Sequence, residues 1–123
     1  MIDRELAGQF VRQMFDARTE AHVFHLQTKS YSEHKALEQF YEGITDLADS
    51  IAENVQGRAG ILEYNEVEDD QDEPTDSKQL LINLMTWIKD NRYKITDQSD
   101  IQNQIDGVVE LISRTYYMIE NLK

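Results

Sequence analysis

From Tyr31 to Gly57 an apolar side chain returns every three or four residues, through Leu37, Phe40, Tyr41, Ile44, Leu47, Ala48, Ile51 and Val55. Only an α-helix, at about 3.6 residues per turn, gathers that set on one face, and the stripe persists for about seven turns. A helix with one long apolar face must bury it against partners. The rest of the chain reads as scaffolding for this stretch.

Three further stripes supply that scaffolding. Leu6, Phe10, Met14, Ala17, Ala21 and His25 recur at helical spacing from Asp3 to about Thr28, with Val11, Phe15 and His22 on a flanking line. Past Pro74 and Thr75, where a helix can start, Leu80, Leu81, Leu84, Met85, Trp87 and Ile88 form a third helix ending near Asn91. Trp87 is expected as a core or interface anchor. Ile101, Ile105, Val108, Ile112, Thr115, Ile119 and Leu122 form a fourth, with Tyr116 and Tyr117 beside the stripe. Ser30 with Glu33, and Ser99 with Gln102, have the spacing of capping boxes, and Gly57 is expected to close the second helix in a left-handed conformation. The predicted helices span about 3–28, 31–56, 76–91 and 99–122. Their short, longer and short connections predict one all-α domain, an antiparallel four-helix bundle.

Composition narrows the function classes. The formal net charge of -12 opposes binding to nucleic acid or to an anionic membrane surface, since both need clustered Lys and Arg. There are no cysteines for disulfides or thiolate chemistry. No apolar run approaches the ~20 residues of a membrane span. The N-terminal MIDRELAGQ lacks the cationic and apolar regions of a signal peptide, so a cytoplasmic location is expected. Residues 63–76 carry eight acidic side chains and no basic one, which reads as a solvated connector extended by self-repulsion. The alternation of Glu68, Asp70 and Asp72 suggests a calcium loop, but the central glycine and closing glutamate of an EF-hand are missing.

All three histidines, His22, His25 and His34, lie around the first predicted turn, and Asp49 and Glu53 follow on the second helix. His25 and His34 flank the turn and can converge. Asp49 and Glu53 stand one turn apart, about 6 Å along the axis, and can share an ion. Fifteen residues separate His34 from Asp49, about 22 Å of helix, so one chain cannot bring them to one ion. Two half-sites therefore sit near opposite ends of the second helix, and a homodimer pairing this helix antiparallel with its copy would complete two sites. Glu38, one turn beyond His34, is an additional candidate ligand, whereas Glu20 and Glu42 are weaker candidates and His22 is read as structural. The plain alternative pairs His25 and His34 with nearby carboxylates at the turn and leaves Asp49 and Glu53 solvated.

The order His25-x8-His34-x14-Asp49-x3-Glu53 resembles the ferroxidase signature of the Dps family of ferritin-like proteins, and from His34 onward the spacing agrees residue for residue. The segment His22–Tyr41 is also similar to small ferritin-like proteins encoded by tailed phages. The resemblance covers residues 21–57. It implies a ferritin-like bundle whose intersubunit iron sites take His25 and His34 from one chain and Asp49 and Glu53 from another. The same ligands suit manganese or zinc. The chain departs from Dps in a shorter link between the histidines, in Leu26 where a tryptophan is usual, and in the acidic connector that replaces a short helix. It has no lysine-rich tail, so DNA binding is not implied.

Two function classes follow. The first is a ferritin-like homodimer or higher homo-oligomer that binds iron between subunits and oxidises it. The second is a non-catalytic, acidic helical interaction protein, phage-encoded, that engages a basic host protein or holds a small ligand at its oligomer interface.

Overall fold

The computed structural model describes residues 1–68 and 73–123. Four helices follow in order: α1 (Arg4–Gln27), α2 (Tyr31–Ala59), α3 (Ser77–Ile95) and α4 (Ser99–Asn121). No strand occurs among the described residues. Asp70 and Asp72, invoked for a calcium loop, lie outside them.

Short polar side chains start three of the helices. Asp3, Ser30 and Asp76 accept the backbone N–H groups of Leu6, Glu33 and Gln79, each satisfying an amide that has no partner within its helix. The Ser30 box forms only in half, because the Glu33 carboxylate accepts a bond from the Ser77 hydroxyl at 2.6 Å instead of reaching back. The expected box at Ser99 does not form. Gln98 is the cap residue there, without a side-chain bond, and Ser99 already lies inside α4. Gln102 turns inward and donates to the carbonyls of Arg92 and Thr96 at 2.8 and 2.7 Å. The open carbonyls at the end of α3 need donors more than the start of α4 needs an acceptor.

Two helix ends also differ from expectation. Helix α2 runs past Gly57 to Ala59, and Gly60 takes the positive φ of 87° that favours glycine. Helix α3 continues beyond Asn91 because Ile95, one further turn along its apolar stripe, is buried.

Contacts at the helix ends establish the topology. At one end Asp3 N–H bonds the Ile95 carbonyl, and Arg58 pairs with Asp100. At the other Ser77 meets Glu33, the Ser32 hydroxyl meets the Leu122 carbonyl, and Lys78 pairs with Glu120. Helix α1 thus packs antiparallel against α2 and α3, and α4 does the same, which is the expected antiparallel four-helix bundle. Helices α2 and α3 point the same way on opposite corners, so the connection between them must travel the length of the molecule.

That connection is partly docked. Arg4 bonds the carbonyls of Ala59 and Ile61, and Arg12 bonds the Tyr64 carbonyl and the Glu66 carboxylate. Leu62 is buried, and the Tyr64 hydroxyl donates to Gln56 at 2.6 Å. The Glu63 carbonyl passes so close to α1 that only a glycine fits beneath it, at Gly8. Residues 63–66, the start of the acidic segment, are therefore docked on α1 and not the solvated linker that their charge suggests. Between the helices, Phe10, Met14, Leu37, Phe40, Ile44 and Leu81 are almost wholly buried, and Trp87 stacks on Phe10 with ring centroids 5.9 Å apart.

Candidate metal centre

The last turn of α1 and the first turn of α2 are joined by three residues, which brings His25 against His34. His25 is 6% exposed, whereas His34 is half-buried. The two side chains exchange bonds with each other's backbone. His25 Nδ1 lies 2.6 Å from the His34 carbonyl oxygen, and His34 Nδ1 lies 2.8 Å from that of His25. A carbonyl can only accept, so the proton of each neutral ring sits on Nδ1 and the lone pair is left on Nε2. Metal-bound histidines are oriented in this way, by a bond from the nitrogen that does not touch the metal. The same bonds serve the fold, since the His25 carbonyl ends α1 without a helical partner.

The rings are stacked, with centroids 3.6 Å apart and planes 17° from parallel. Glu38 adds a carboxylate, and one ligand atom from each of His25, His34 and Glu38 lies within 4.8 Å of the others. An ion bound by imidazole lies in the ring plane, and two planes so nearly parallel do not meet within bonding distance. The stacked pair consequently suits two adjacent ions, one per ring, better than a single ion held by both. Glu38 is also paired with Lys35 at 3.7 Å, but both side chains are substantially exposed and the pair is weak.

Aromatic rings wall the cluster. His22, read as structural, is exposed and stacks on Tyr41 at 4.2 Å while meeting His25 edge-on at 5.8 Å. Burial, followed by the charges of Glu38 and Glu42, pushes the Tyr41 hydroxyl up from its ordinary value, so it keeps its proton at neutral pH. Tyr31 stands on the far side of His34 at 6.4 Å and is largely exposed.

Asp49 and Glu53 are exposed on α2 and do not join the cluster within the chain. With Glu38 and Glu42 they form one outward stripe at helical spacing. Glu20 lies elsewhere, in a cleft of about 280 Å³ between α1, α3 and the connector, together with Asp16, Glu66 and Glu73. Burial, then Glu73 and Asp16, raises its carboxyl above the usual range. This acidic cleft is absent from the sequence reading, because its members come from three separate segments. The Tyr41 wall carried a signal, since Tyr41 follows His34 by two helical turns and His22 precedes His25 by one.

Fold and cluster together define a four-helix-bundle protein with a two-histidine, one-carboxylate group at the tip of its first hairpin. The chain belongs to DUF5856, a family of unknown function, whose model matches residues 25–119. It is also similar to an uncharacterized 14.6 kDa protein from the mobD-ri intergenic region of Enterobacteria phage T4. The two are 25% identical over 113 residues, which cover 92% of this chain and 87% of the phage protein. No solved structure matches. No helix among the described residues is long and apolar enough to cross a membrane.

Proposed function

We propose that this is a ferritin-like, phage-encoded cytoplasmic protein that binds two divalent metal ions per chain, iron foremost, between two copies of itself. The observation that carries the reading is the reciprocal pairing of each Nδ1 with the other histidine's carbonyl, which leaves both Nε2 lone pairs free, in a cluster where a Glu38 oxygen lies within 4.8 Å of one nitrogen of each ring. The ring centroids are 3.6 Å apart, so ions held one by each ring would be close neighbours. Glu38 lies beside both rings, and Asp49 and Glu53 of a second copy would complete the set. The one long crossover between α2 and α3 is the connection pattern of ferritin-like folds, which adds support at the level of topology.

Iron held by His25, His34 and Glu38 would supply two electrons per pair of Fe(II) ions, enough to turn one hydrogen peroxide and two protons into two waters. The imidazole and carboxylate ligands suit Fe(II), and also Mn(II) and Zn(II). The chain's own contribution is to fix the ring tautomers, to place the Glu38 carboxylate beside both rings and to wall one side with Tyr41.

Anaerobic titration with Co(II) or Fe(II), followed by elemental analysis, is expected to give two ions per chain. Glu38→Gln keeps the fold and lowers that number, and His25→Ala abolishes binding. Wild-type protein that retains no metal refutes the reading.

A second reading, a basic protein partner, is favoured by the acidic cleft around Glu20. Loss of lysine-rich peptide binding in Glu20→Gln/Glu73→Gln would support it.

A further inference from the structure

We infer that association of two copies is switched on by the metal, and that Glu42 and Asp46 hold the metal-free chains apart. The inference rests on the metal reading above and deepens it. It begins from register. If two α2 helices pair antiparallel so that the half-sites meet, His34 faces the partner's Glu53 and Glu38 faces the partner's Asp49. The two-fold axis then passes between Gly43 and Ile44, and Glu42 faces the partner's Thr45 while Asp46 faces the partner's Tyr41.

Glu42 and Asp46 are thereby placed within one helical turn of the axis, where each approaches its own copy. Helices in contact lie about 8–10 Å apart, comparable with the screening length of about 8 Å at physiological salt, so these charges feel one another. Both side chains are exposed. Among the described residues neither has an ion pair, and neither do Asp49 and Glu53; Glu38 alone of the stripe has one, with Lys35. Without cations, a seam built from two such stripes sets carboxylate against carboxylate.

Metal changes the sign of that balance. Each copy brings Glu38, Glu42, Asp46, Asp49 and Glu53 to the seam, and two divalent ions per copy offset most of that charge. The ions also tie the copies together, because each pair is held by His25, His34 and Glu38 on one side and by Asp49 and Glu53 of the partner subunit on the other. Binding only to the associated form pulls the equilibrium toward it by mass action. Glu42 and Asp46 remain outside the ligand set and act through charge alone.

Sedimentation velocity on the full chain, with Co(II) as the probe and chelator as the control, tests this. We expect a monomer in chelator and a dimer with stoichiometric Co(II), with the apparent dissociation constant falling at least tenfold. The double variant Glu42→Gln/Asp46→Asn is expected to bind as many Co(II) ions as wild type but to dimerise at least tenfold more tightly in chelator. A dimer equally tight in chelator overturns the inference and leaves the metal centre standing. A protein that binds Co(II) and stays monomeric overturns the inference together with the intersubunit part of the metal reading, and leaves only the single-chain group of His25, His34 and Glu38. Absence of Co(II) binding overturns both.

Discussion

Replacing Gly8 by alanine should destabilise the protein, although the site lies inside a helix. In an unobstructed helix the exchange stabilises by about 1 kcal/mol, because alanine loses less backbone freedom on folding. At Gly8 the new Cβ would overlap the Glu63 carbonyl oxygen and lie 3.0 Å from its carbon. That backbone cannot give way locally, since Arg4 holds the Ile61 carbonyl at 2.6 Å and Arg12 the Tyr64 carbonyl at 3.1 Å. Leu62 between them is 4% exposed. Peeling the segment off loses about 2 kcal/mol of leucine burial and about 1–2 kcal/mol of partly solvent-exposed hydrogen bonding. After the gain in helix propensity, a net loss of about 2–3 kcal/mol remains. Gly57→Ala is the control: it lies in α2 with nothing within 4 Å of the added methyl, and should stabilise by about 0.5–1 kcal/mol. Urea unfolding followed by Trp87 fluorescence and by circular dichroism measures both. If Gly8→Ala matches or exceeds wild type, the connector is not docked on α1 as described.

Asp100→Asn should flatten the acid limb of stability. Hydrogen bonds from Arg58 and Asn54 hold the Asp100 carboxyl at about 2, below the ordinary 3.8, so its contribution is present above pH ~4 and is lost as pH falls toward 2. Superimposable urea midpoints for wild type and variant across that window would refute the assignment. Glu20→Gln should act in the opposite sense: a carboxyl raised by burial, Glu73 and Asp16 opposes folding while ionised. The variant is expected to melt above wild type at pH 7, and the gap should close as pH falls through the raised value. His34→Ala removes the donor to the His25 carbonyl and one face of the stack, so it should cost about 1–2 kcal/mol as well as metal binding. Glu38→Gln should affect the metal and leave the melting temperature within a degree or two.

Helix number and type were legible because each stripe repeats with a period that only one backbone geometry satisfies. Ends were less so. Gly57 and Gly60 both fit a helix terminus, and the choice depends on Gln56, whose side chain accepts the Leu62 N–H at 3.1 Å and thereby sets where the chain turns. The Ser99–Gln102 spacing misled for a related reason, since an amide that can cap its own helix can equally cap the preceding one. At the candidate site, the separation of His34 from Asp49 could be read by counting residues along a helix. The stacked rings and crossed carbonyl bonds could not, because they arise from the angle at which two helices leave a three-residue link. Gly8 reads as a flaw in α1 until the connector is laid over it.

The crossover has a consequence for how the chain assembles. Its α1–α2 and α3–α4 hairpins are each local in sequence, while the contacts between them close the long loop that the crossover spans. Local hairpins form early and distant pairings later, so two preformed halves should dock in the final step of folding. The strap is then the sole covalent tie between the halves. A chain severed within it should give two polypeptides, residues 1–68 and 73–123, that find each other and rebuild the bundle by complementation.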